Sequence, residues 1–309
     1  MKIDKPVPNK LNFGDDLNYW LWPKLIPECI NDDKDGIHFL GIGTLLKARR
    51  IKEKLRHADK VVIFSSGCWG GNLPILGDRC HIYGVRGPRT AKALGLDESM
   101  VLGDGAYLLR NLIPLPKTKG ASIGFVPHHG SEQNVNWPAI CALAGVKFIS
   151  PRQPVESFLA EIADCKAVIA EAMHGAIASD ALRIPWVAAC FSPNFREEKW
   201  LDWAESMSLE LTIHALRMND QDSLNPVQPF KTTPKRIAAI HSVGPKLKRL
   251  FSRSKKSAPT TEMQLSAKLR YIAESAPRQM SSDTAVASTL YRLNHALESL
   301  KKDYSSGQI

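Results

Sequence analysis

The stretch 166–190, KAVIAEAMHGAIASDALRIPWVAAC, decides the fold. Its first residues, 166–170, have the length and branching of a buried strand, and 174–183 form a helix-length segment. The polar turn between them would lie at the carboxyl edge of a parallel sheet, beside a helix N-terminus that attracts anions. The stretch therefore predicts an α/β fold in which His174 lies close to an anionic ligand.

The same alternation of strand and helix repeats along the chain and predicts two α/β halves. Strands separated by helices form parallel sheets covered on both faces, and ligands bind in the cleft between such halves. The predicted domains are 1–115 and 119–228, joined by a linker rich in Pro and Lys at 112–120. The predicted strands are 37–40, 61–64, 81–85, 101–102, 122–126, 147–149, 166–170 and 186–189.

The composition is that of a globular protein. Of its 309 residues, 44% are hydrophobic, which is enough for a sizeable core. The sequence has no apolar run of about 18 residues to span a bilayer, and its N-terminus lacks an apolar signal core. The six cysteines show no CxxC spacing, so we expect reduced thiols in a cytoplasmic protein and no structural zinc site.

Positive charge is concentrated in the predicted tail, a basic linker and amphipathic helices over 229–309. The net charge is +10, and nine Lys or Arg but no acidic residue lie within 231–256. Such a segment suits the anionic surface of the inner membrane or a solvated face; no nucleic-acid-binding motif accompanies it. Apolar residues at steps of three and four over 286–300 predict a helix whose stripe packs on this chain, with a dimer contact or a membrane surface as alternatives.

Candidate functional residues follow the ends of predicted strands. Arg86 lies between a strand and a helix start, as an anion clamp requires. His128 follows the strand 122–126 and would face the same cleft as His174, and we favour an acid/base or phosphate-binding role for it. Because 128–129 have no third ligand at metal spacing, we expect no metal site.

Two further stretches have the residues of a binding loop. A glycine turn at 41–44, followed by a short basic helix, is a type of turn used to approach phosphate closely. The stretch 12–18 combines a glycine with carboxylates that can cap a helix beginning near Asp15 or Asp16.

Six short motifs, in this order and spacing, resemble the polysaccharide pyruvyl transferase family. The similarity is greatest to the branch that acts on bacterial exopolysaccharides of the succinoglycan type. It spans about residues 9–215 and leaves the tail outside. The motifs are NFGDDLN at 12–18, GIGT at 41–44, VRGPRT at 85–90, GD at 103–104, PHH at 127–129 and EAMHGAI at 171–177.

The resemblance implies a fold similar to GT-B glycosyltransferases, with two Rossmann-like domains around a cleft. It also implies that the enolpyruvyl unit of phosphoenolpyruvate is transferred to two hydroxyls of one sugar, giving a cyclic pyruvate ketal and phosphate. Phosphoenolpyruvate is the donor substrate, and no cofactor is implied. A lipid-linked saccharide acceptor would explain the basic segment as a peripheral contact with the inner membrane. The oligomeric state, including a homo-oligomer, is left open.

The resemblance assigns roles to individual residues. His174 would be the principal acid/base residue, because the enol carbon must gain a proton and the attacking hydroxyl must lose one. His128 is the second candidate. Arg86 would hold the donor's phosphate or carboxylate, helped by backbone N–H groups at Gly175 and Gly87. The other candidate substrate-binding residues are Asn12, Asp15, Asn18, Gly43, Gly67, Arg89, Glu171, Arg196 and Lys199.

One departure from the family pattern concerns the donor. Many members carry Arg two residues before the motif histidine, whereas this chain has Ala172. Either Arg86, Arg89 or Arg196 supplies that charge, or the donor is held differently. Two alternatives remain at this point: a GT-B glycosyltransferase that uses a nucleotide-sugar, and a non-catalytic scaffold with the same fold.

Overall fold

The computed structural model describes residues 1–4, 11–31, 36–68, 70, 73–117, 120–192, 195–216 and 261–309. The basic stretch 231–256 lies outside the described residues, so its predicted roles stay predictions. Among the described residues, no helix is both long and apolar enough to cross a membrane.

The first sheet has four parallel strands in the order β1-β2-β3-β4. A π-helical turn, Arg50–Lys54, precedes β3, and two 3-10 segments, Glu98–Met100 and Gly105–Asn111, follow α2. The regular elements are β1 (Lys2–Ile3), α1 (Phe13–Leu25), β2 (Ile37–Leu40), β3 (Lys60–Ser66), β4 (Cys80–Val85) and α2 (Pro88–Ala93).

The second sheet has five parallel strands in the order β6-β5-β7-β8-β9, and two helices follow it. These elements are β5 (Ser122–Val126), α3 (Trp137–Ala144), β6 (Lys147–Phe148), α4 (Val155–Ala163), β7 (Cys165–Ala170), α5 (Met173–Ala181), β8 (Trp186–Cys190), α6 (Glu197–Ser206), β9 (Ile213–Ala215), α7 (Thr261–Ser275) and α8 (Asp283–Ser305).

The predicted α/β class with parallel sheets is confirmed, and three local predictions are corrected. The helix predicted to begin near Asp15 or Asp16 begins at Phe13. The strand predicted at 101–102 is a single bridge between Val101 and Val85. The basic helix expected directly after Thr44 begins only at Arg50, and it is π-helical. The sequence did not predict β1 and β9, which have only two and three residues and so give no periodic signal.

A continuous apolar cluster joins the two sheets. It contains Phe13 and Phe64 from the first half and Val126, Met173 and Trp203 from the second. The ring of Phe13, at the start of α1, stacks on that of Phe158 in α4 with centroids 3.9 Å apart. Because α1 begins against α4, the first turn of α1 is held beside the carboxyl edge of the second sheet.

The two C-terminal helices pack on different halves of the molecule. Leu265 and Leu269 of α7 are buried in the cluster that contains α3. Helix α8 lies against the first half, where its Asp303 accepts a hydrogen bond from the hydroxyl of Tyr83 in β4 at 2.7 Å. Leu293 and Leu300 of α8 are also buried. The apolar stripe of α8 therefore packs on this chain, as predicted.

The segment that connects α7 to α8 is held on the second half by hydrogen bonds. Gln279 forms an antiparallel bridge with Trp186, with N···O distances of 2.7 and 3.0 Å in the two directions. The backbone N–H of Ser281 donates to the buried carboxylate of Asp180 at 3.0–3.1 Å. These bonds fix where the chain leaves the second half.

Candidate active site

His174 lies in the first turn of α5, directly after the carboxyl end of β7. The helix occupies Met173–Ala181, close to the predicted range, and its N-cap residue Ala172 provides no side-chain cap. The imidazole is mostly buried, with 16% of its side chain exposed, and its Nε2 lies 3.7 Å from Oδ2 of Asp104. The site therefore combines one group from each half of the molecule.

Asp104 is fully buried. It lies three residues after Val101, which forms the single bridge with Val85. Its Oδ1 accepts a hydrogen bond from the N–H of Ala106 at 3.0 Å and caps the 3-10 segment. Burial alone would raise the pKa of this carboxyl, but the imidazole of His174 and the charge of Arg86 outweigh it and lower that pKa. Asp104 is therefore held as a carboxylate facing the histidine.

The first turn of α1 covers another side of the imidazole. A Cβ on Gly14 would lie only 2.1 Å from Nδ1 of His174, so only glycine leaves room for the ring. Around it, the N–H of Asn12 donates to Asp16 at 2.9 Å, and the side-chain amide of Asn12 donates to Asp15 at 3.0 Å. The structure thus brings the predicted residues Asn12 and Asp15 to the turn beside His174.

Asn18 of α1 and Gly43 of the glycine turn at 41–44 connect these two segments to their surroundings. The buried amide of Asn18 accepts from the N–H of Ile42 at 2.7 Å and donates to its carbonyl at 3.0 Å. Gly43 has φ +120, which favours glycine, and its carbonyl accepts from the N–H of Gly67 at 2.8 Å. The structure gives Asn18 a role in holding the glycine turn; its predicted contact with substrate stays a prediction.

Arg86 is fully buried and is bound by an internal carboxylate from α6. Its Nε donates to Oδ2 of Asp202 at 3.0 Å, and its Nη1 donates to Thr44 at 3.3 Å. A Cβ on Gly67 would lie 2.3 Å from the guanidinium carbon, so Gly67 makes room for this arginine. Arg86, which was predicted to bind an anionic ligand, thus binds a carboxylate of the protein itself. Direct contact between Arg86 and the donor stays a prediction.

Asp202 also binds the start of α2. Its Oδ1 accepts from the N–H of Thr90 and its Oδ2 from the Thr90 hydroxyl, both at 2.8 Å. A Cβ on Gly87 would lie 2.0 Å from the carbonyl oxygen of Asp202. Arg89, a predicted binding residue, pairs with Glu205 at 2.8 Å and Glu198 at 3.1 Å. The motif at 85–90 therefore fastens the first half to α6.

Several cations act on Lys199, near the start of α6. Lys199 is half-buried, and burial followed by the charge of Arg86 lowers its pKa to about 8. Lys47 and Arg196 also lower the pKa of Lys199, whereas Asp15 raises it. Since Asp15 is in the first turn of α1, this group of cations lies near the turn that covers His174, and such a concentration of positive charge suits an anionic ligand.

Glu171 and Gly175 shape the edge of the second sheet. The carboxylate of Glu171 is 2% exposed and accepts from the N–H groups of His128 at 2.8 Å and Ser192 at 2.7 Å. Burial raises the pKa of Glu171. Gly175 lets α5 pack closely on β5, because a Cβ there would lie 3.0 Å from Val126. Glu171 thus holds the loops after β5 and β8; contact of either residue with substrate stays a prediction.

His128 lies in the loop after β5, as predicted. Its Nδ1 accepts a hydrogen bond from the N–H of Gly130 at 3.1 Å, and its ring lies 4.2 Å from that of His129 between centroids. Within the described parts of the chain, no cluster of three or more His, Cys, Asp or Glu side chains is arranged to hold a metal ion.

Comparison with known proteins identifies the family. The family model described as polysaccharide pyruvyl transferase matches residues 74–189, which include Arg86, Asp104, His128 and His174. The succinoglycan biosynthesis protein ExoV of Rhizobium meliloti (strain 1021) is 32% identical over 318 residues, covering 95% of this chain and 96% of the relative. The chain belongs to the polysaccharide pyruvyl transferase family. No solved structure matched it.

Membership in the polysaccharide pyruvyl transferase family makes the protein an enzyme, a pyruvyl transferase. It thereby sets aside the scaffold and nucleotide-sugar alternatives. For a pyruvyl transferase the geometry offers a histidine for proton transfer, a carboxylate beside it and cations for an anionic substrate.

Three residues of this candidate site were not predicted as functional from the sequence. Lys47 follows the glycine turn, and its only signal was the basic character noted there. Asp104 was seen only as part of a family motif. Asp202 gave no signal, because its pairing with Arg86 joins residues 116 positions apart in the sequence.

Replacing Gly14 by alanine is expected to lower kcat about 10²-fold while the protein stays folded. The new methyl group would displace the imidazole of His174, and a shift of about 1 Å in a catalytic group can cost that much. Steady-state kinetics and thermal unfolding measure the two effects. The matched control is Gly77→Ala, since a Cβ there meets nothing within 4 Å. Wild-type kcat in Gly14→Ala would contradict the placement of His174 at the reaction centre.

Proposed function

We propose that the enzyme transfers the enolpyruvyl unit of phosphoenolpyruvate to two hydroxyls of one sugar in a bacterial exopolysaccharide repeat unit, forming a cyclic pyruvate ketal and releasing phosphate. The observation that carries the proposal is the His174–Asp104 pair beside the cations around Lys199. The choice of an exopolysaccharide as the acceptor is based on the relative's name, which assigns that protein to succinoglycan biosynthesis.

The proposed reaction adds one proton to carbon and removes one proton from each of the two sugar hydroxyls. Protonation of C3 of the enol makes C2 electrophilic, and the first sugar hydroxyl attacks C2 and loses its proton. Phosphate then leaves with its bridging oxygen, and the second hydroxyl attacks the same carbon. The proton of that second hydroxyl leaves with the phosphate, so the products are the ketal and hydrogen phosphate.

The roles of the residues follow from where the charges lie. His174 protonates C3 and accepts the proton of the attacking hydroxyl, and His128 is the second candidate for this role. Lys199, Lys47 and Arg196 bind the phosphate and carboxylate of the donor and compensate for the arginine missing at Ala172. Arg86 acts on this site mainly through its charge, because its side chain is buried.

We further propose that the halves are two Rossmann-like domains of a GT-B-like enzyme, 1–115 and 119–228, with both substrates in the cleft between them. All strands of the first sheet lie in the first range and all strands of the second sheet in the other, which supports this division. A lipid-linked acceptor would place the enzyme at the inner membrane, where the basic segment would contact anionic lipid. Whether it is a homo-oligomer is a separate question.

The test of the proposed function is phosphate release from phosphoenolpyruvate in the presence of lipid-linked or free oligosaccharide acceptors. We expect release that depends on the acceptor, with a product whose mass is that of the acceptor plus pyruvate minus water. Turnover of a nucleotide-sugar without turnover of phosphoenolpyruvate would overturn the proposal.

We expect the KM for phosphoenolpyruvate to rise as the pH increases through about 8. Lys199 has its pKa lowered to about 8, so it loses its positive charge in this range and binds the donor less well. Lys199→Met is expected to raise KM about tenfold or more at pH 7, because a hydrogen bond to a charged group contributes about 1.5–3 kcal/mol.

The arginine variant is the complementary test of this prediction. Lys199→Arg keeps its charge over the whole range and should flatten the rise in KM. The exposed Lys166 provides the control, and Lys166→Met should leave KM unchanged. The same pH dependence in Lys199→Met as in the wild type would show that another group is responsible.

A further inference from the structure

Asp104 has one oxygen engaged by the protein and one aimed at His174. Oδ1 caps the 3-10 segment through the N–H of Ala106, whereas Oδ2 is buried without a hydrogen-bond partner among the described residues. Nε2 of His174 lies 3.7 Å from Oδ2. That nitrogen is also buried without a hydrogen bond among those residues. Two buried polar atoms that face each other in this way are typical of a contact that shortens when substrate binds.

The backbone around Asp104 fixes the direction of its side chain. Gly103 has φ +96, and a Cβ on it would lie 2.6 Å from a methyl carbon of Thr289 in α8. The backbone conformation before Asp104 is therefore one that favours glycine. After Asp104, the hydrogen bond from the N–H of Ala106 holds Oδ1 of the side chain. Because both ends of the residue are fixed, the carboxylate is a rigid partner for the imidazole.

The two ring nitrogens of His174 have different surroundings. Nε2 faces Asp104 and is buried, while Nδ1 borders Gly14 in the first turn of α1. The other charge that acts on Asp104 is that of Arg86. Since Nε2 is enclosed, a substrate proton can be exchanged only through Nδ1.

We propose that Asp104 is a positioning residue that keeps a proton on Nε2 of His174 and so makes Nδ1 the nitrogen that exchanges protons with the substrates. This inference rests on the proposed role of His174 in proton transfer. Nδ1–H gives its proton to C3 of the donor, and the neutral ring keeps its other proton on Nε2 beside Asp104. Nδ1 then takes the proton of the attacking hydroxyl, so the ring returns to its starting state.

The substitution Asp104→Asn separates this role from the cap. The amide oxygen of asparagine still accepts a hydrogen bond from the N–H of Ala106, but its NH₂ group cannot accept a hydrogen bond from Nε2–H of His174. We expect kcat to fall about 10²-fold or more, in line with other histidine–carboxylate pairs, while the KM for phosphoenolpyruvate changes less than about threefold. The matched control is Asp97→Asn, because Asp97 caps the other 3-10 segment through Ser99 and lies at the surface.

A spectroscopic measurement tests the inference without relying on turnover. The ¹⁵N chemical shifts of the histidine ring nitrogens report which of them carries the proton, and His174→Gln identifies the signals of His174. In the full-length wild-type protein we expect the neutral ring to carry its proton on Nε2, and in Asp104→Asn we expect this preference to be lost. The double variant Asp104→Asn/His174→Gln should be no slower than His174→Gln alone.

The outcomes distinguish the inference from the proposed function. If the wild-type enzyme does not turn over phosphoenolpyruvate, the proposed function fails, yet the ring-nitrogen shifts still decide whether Asp104 sets the tautomer of His174. If Asp104→Asn keeps the wild-type tautomer, the inference is wrong. It is also wrong if the variant keeps the wild-type kcat, or if it loses only thermal stability, since that is the result expected of a cap.

Discussion

Replacing His174 by alanine is expected to lower kcat for pyruvyl transfer by about 10²–10⁴-fold, the range that general acid–base catalysis contributes. The residue lies where the carboxyl edge of the second sheet meets the first turn of α1, and 16% of its side chain is open to solvent. Phosphate release from phosphoenolpyruvate with a saccharide acceptor measures the loss.

His174→Gln is the companion variant for this prediction. Glutamine can place an N–H near Asp104, so it avoids leaving that carboxylate alone in the interior, but it cannot transfer protons. We expect it to be as slow as alanine and to unfold at a temperature closer to that of the wild type. His128→Ala is the histidine control, with a smaller expected loss because its Nδ1 is bonded to Gly130. If His128→Ala were inactive and His174→Ala active, the two assignments would have to be exchanged.

Replacing Asp202 by alanine is expected to lower the free energy of unfolding by about 3–5 kcal/mol. Removing one partner of a buried ion pair leaves the other charge without compensation, and here Arg86 would remain fully buried. The variant also loses the two hydrogen bonds to Thr90 at the start of α2. Urea unfolding at neutral pH measures the change.

A neighbouring ion pair on the same helix provides the control for Asp202. Glu205 pairs with Arg89 at 2.8 Å, but the two side chains are 32% and 37% exposed, so Glu205→Ala should cost only about 0–1 kcal/mol. The double variant Arg86→Met/Asp202→Leu removes both buried charges and should recover part of the stability lost in Asp202→Ala. Equal effects of Asp202→Ala and Glu205→Ala would show that burial of the first pair is unimportant.

The sequence predicted most of the fold because the strands are apolar runs bounded by polar turns. The runs at 61–64, 122–126 and 166–170 became β3, β5 and β7. The alternation with helices predicted parallel pairing, but it does not reveal that β5 lies between β6 and β7 in the sheet. The edge strands β1 and β9 escaped prediction, since two or three residues carry no period. The equally short β6 was predicted because it lies between two predicted helices. The assignment of α7 and α8 to different halves was equally out of reach, because an apolar stripe does not state which surface covers it.

The candidate site was predicted in part. Because His174 follows a predicted strand, it was placed at the carboxyl edge of the sheet, and Asp104 was part of a family motif. Nothing in the local sequence indicated that these two residues face each other. Arg86 was predicted to bind a substrate anion because it lies just before a helix. In the structure the anion that it binds is the carboxylate of Asp202 in α6. Contacts between distant residues depend on the packing of whole elements, which one sequence does not encode in any spacing.

The position of α8 has a consequence for the order in which the protein is made. The first sheet and its 3-10 segment are translated early, yet α8, which lies against the first half, emerges from the ribosome much later. Chains grow at about 5–20 residues per second, so the apolar surface of the first half stays uncovered for on the order of ten seconds. The packing of the first half is therefore completed only after the C-terminal end of the chain has been synthesised.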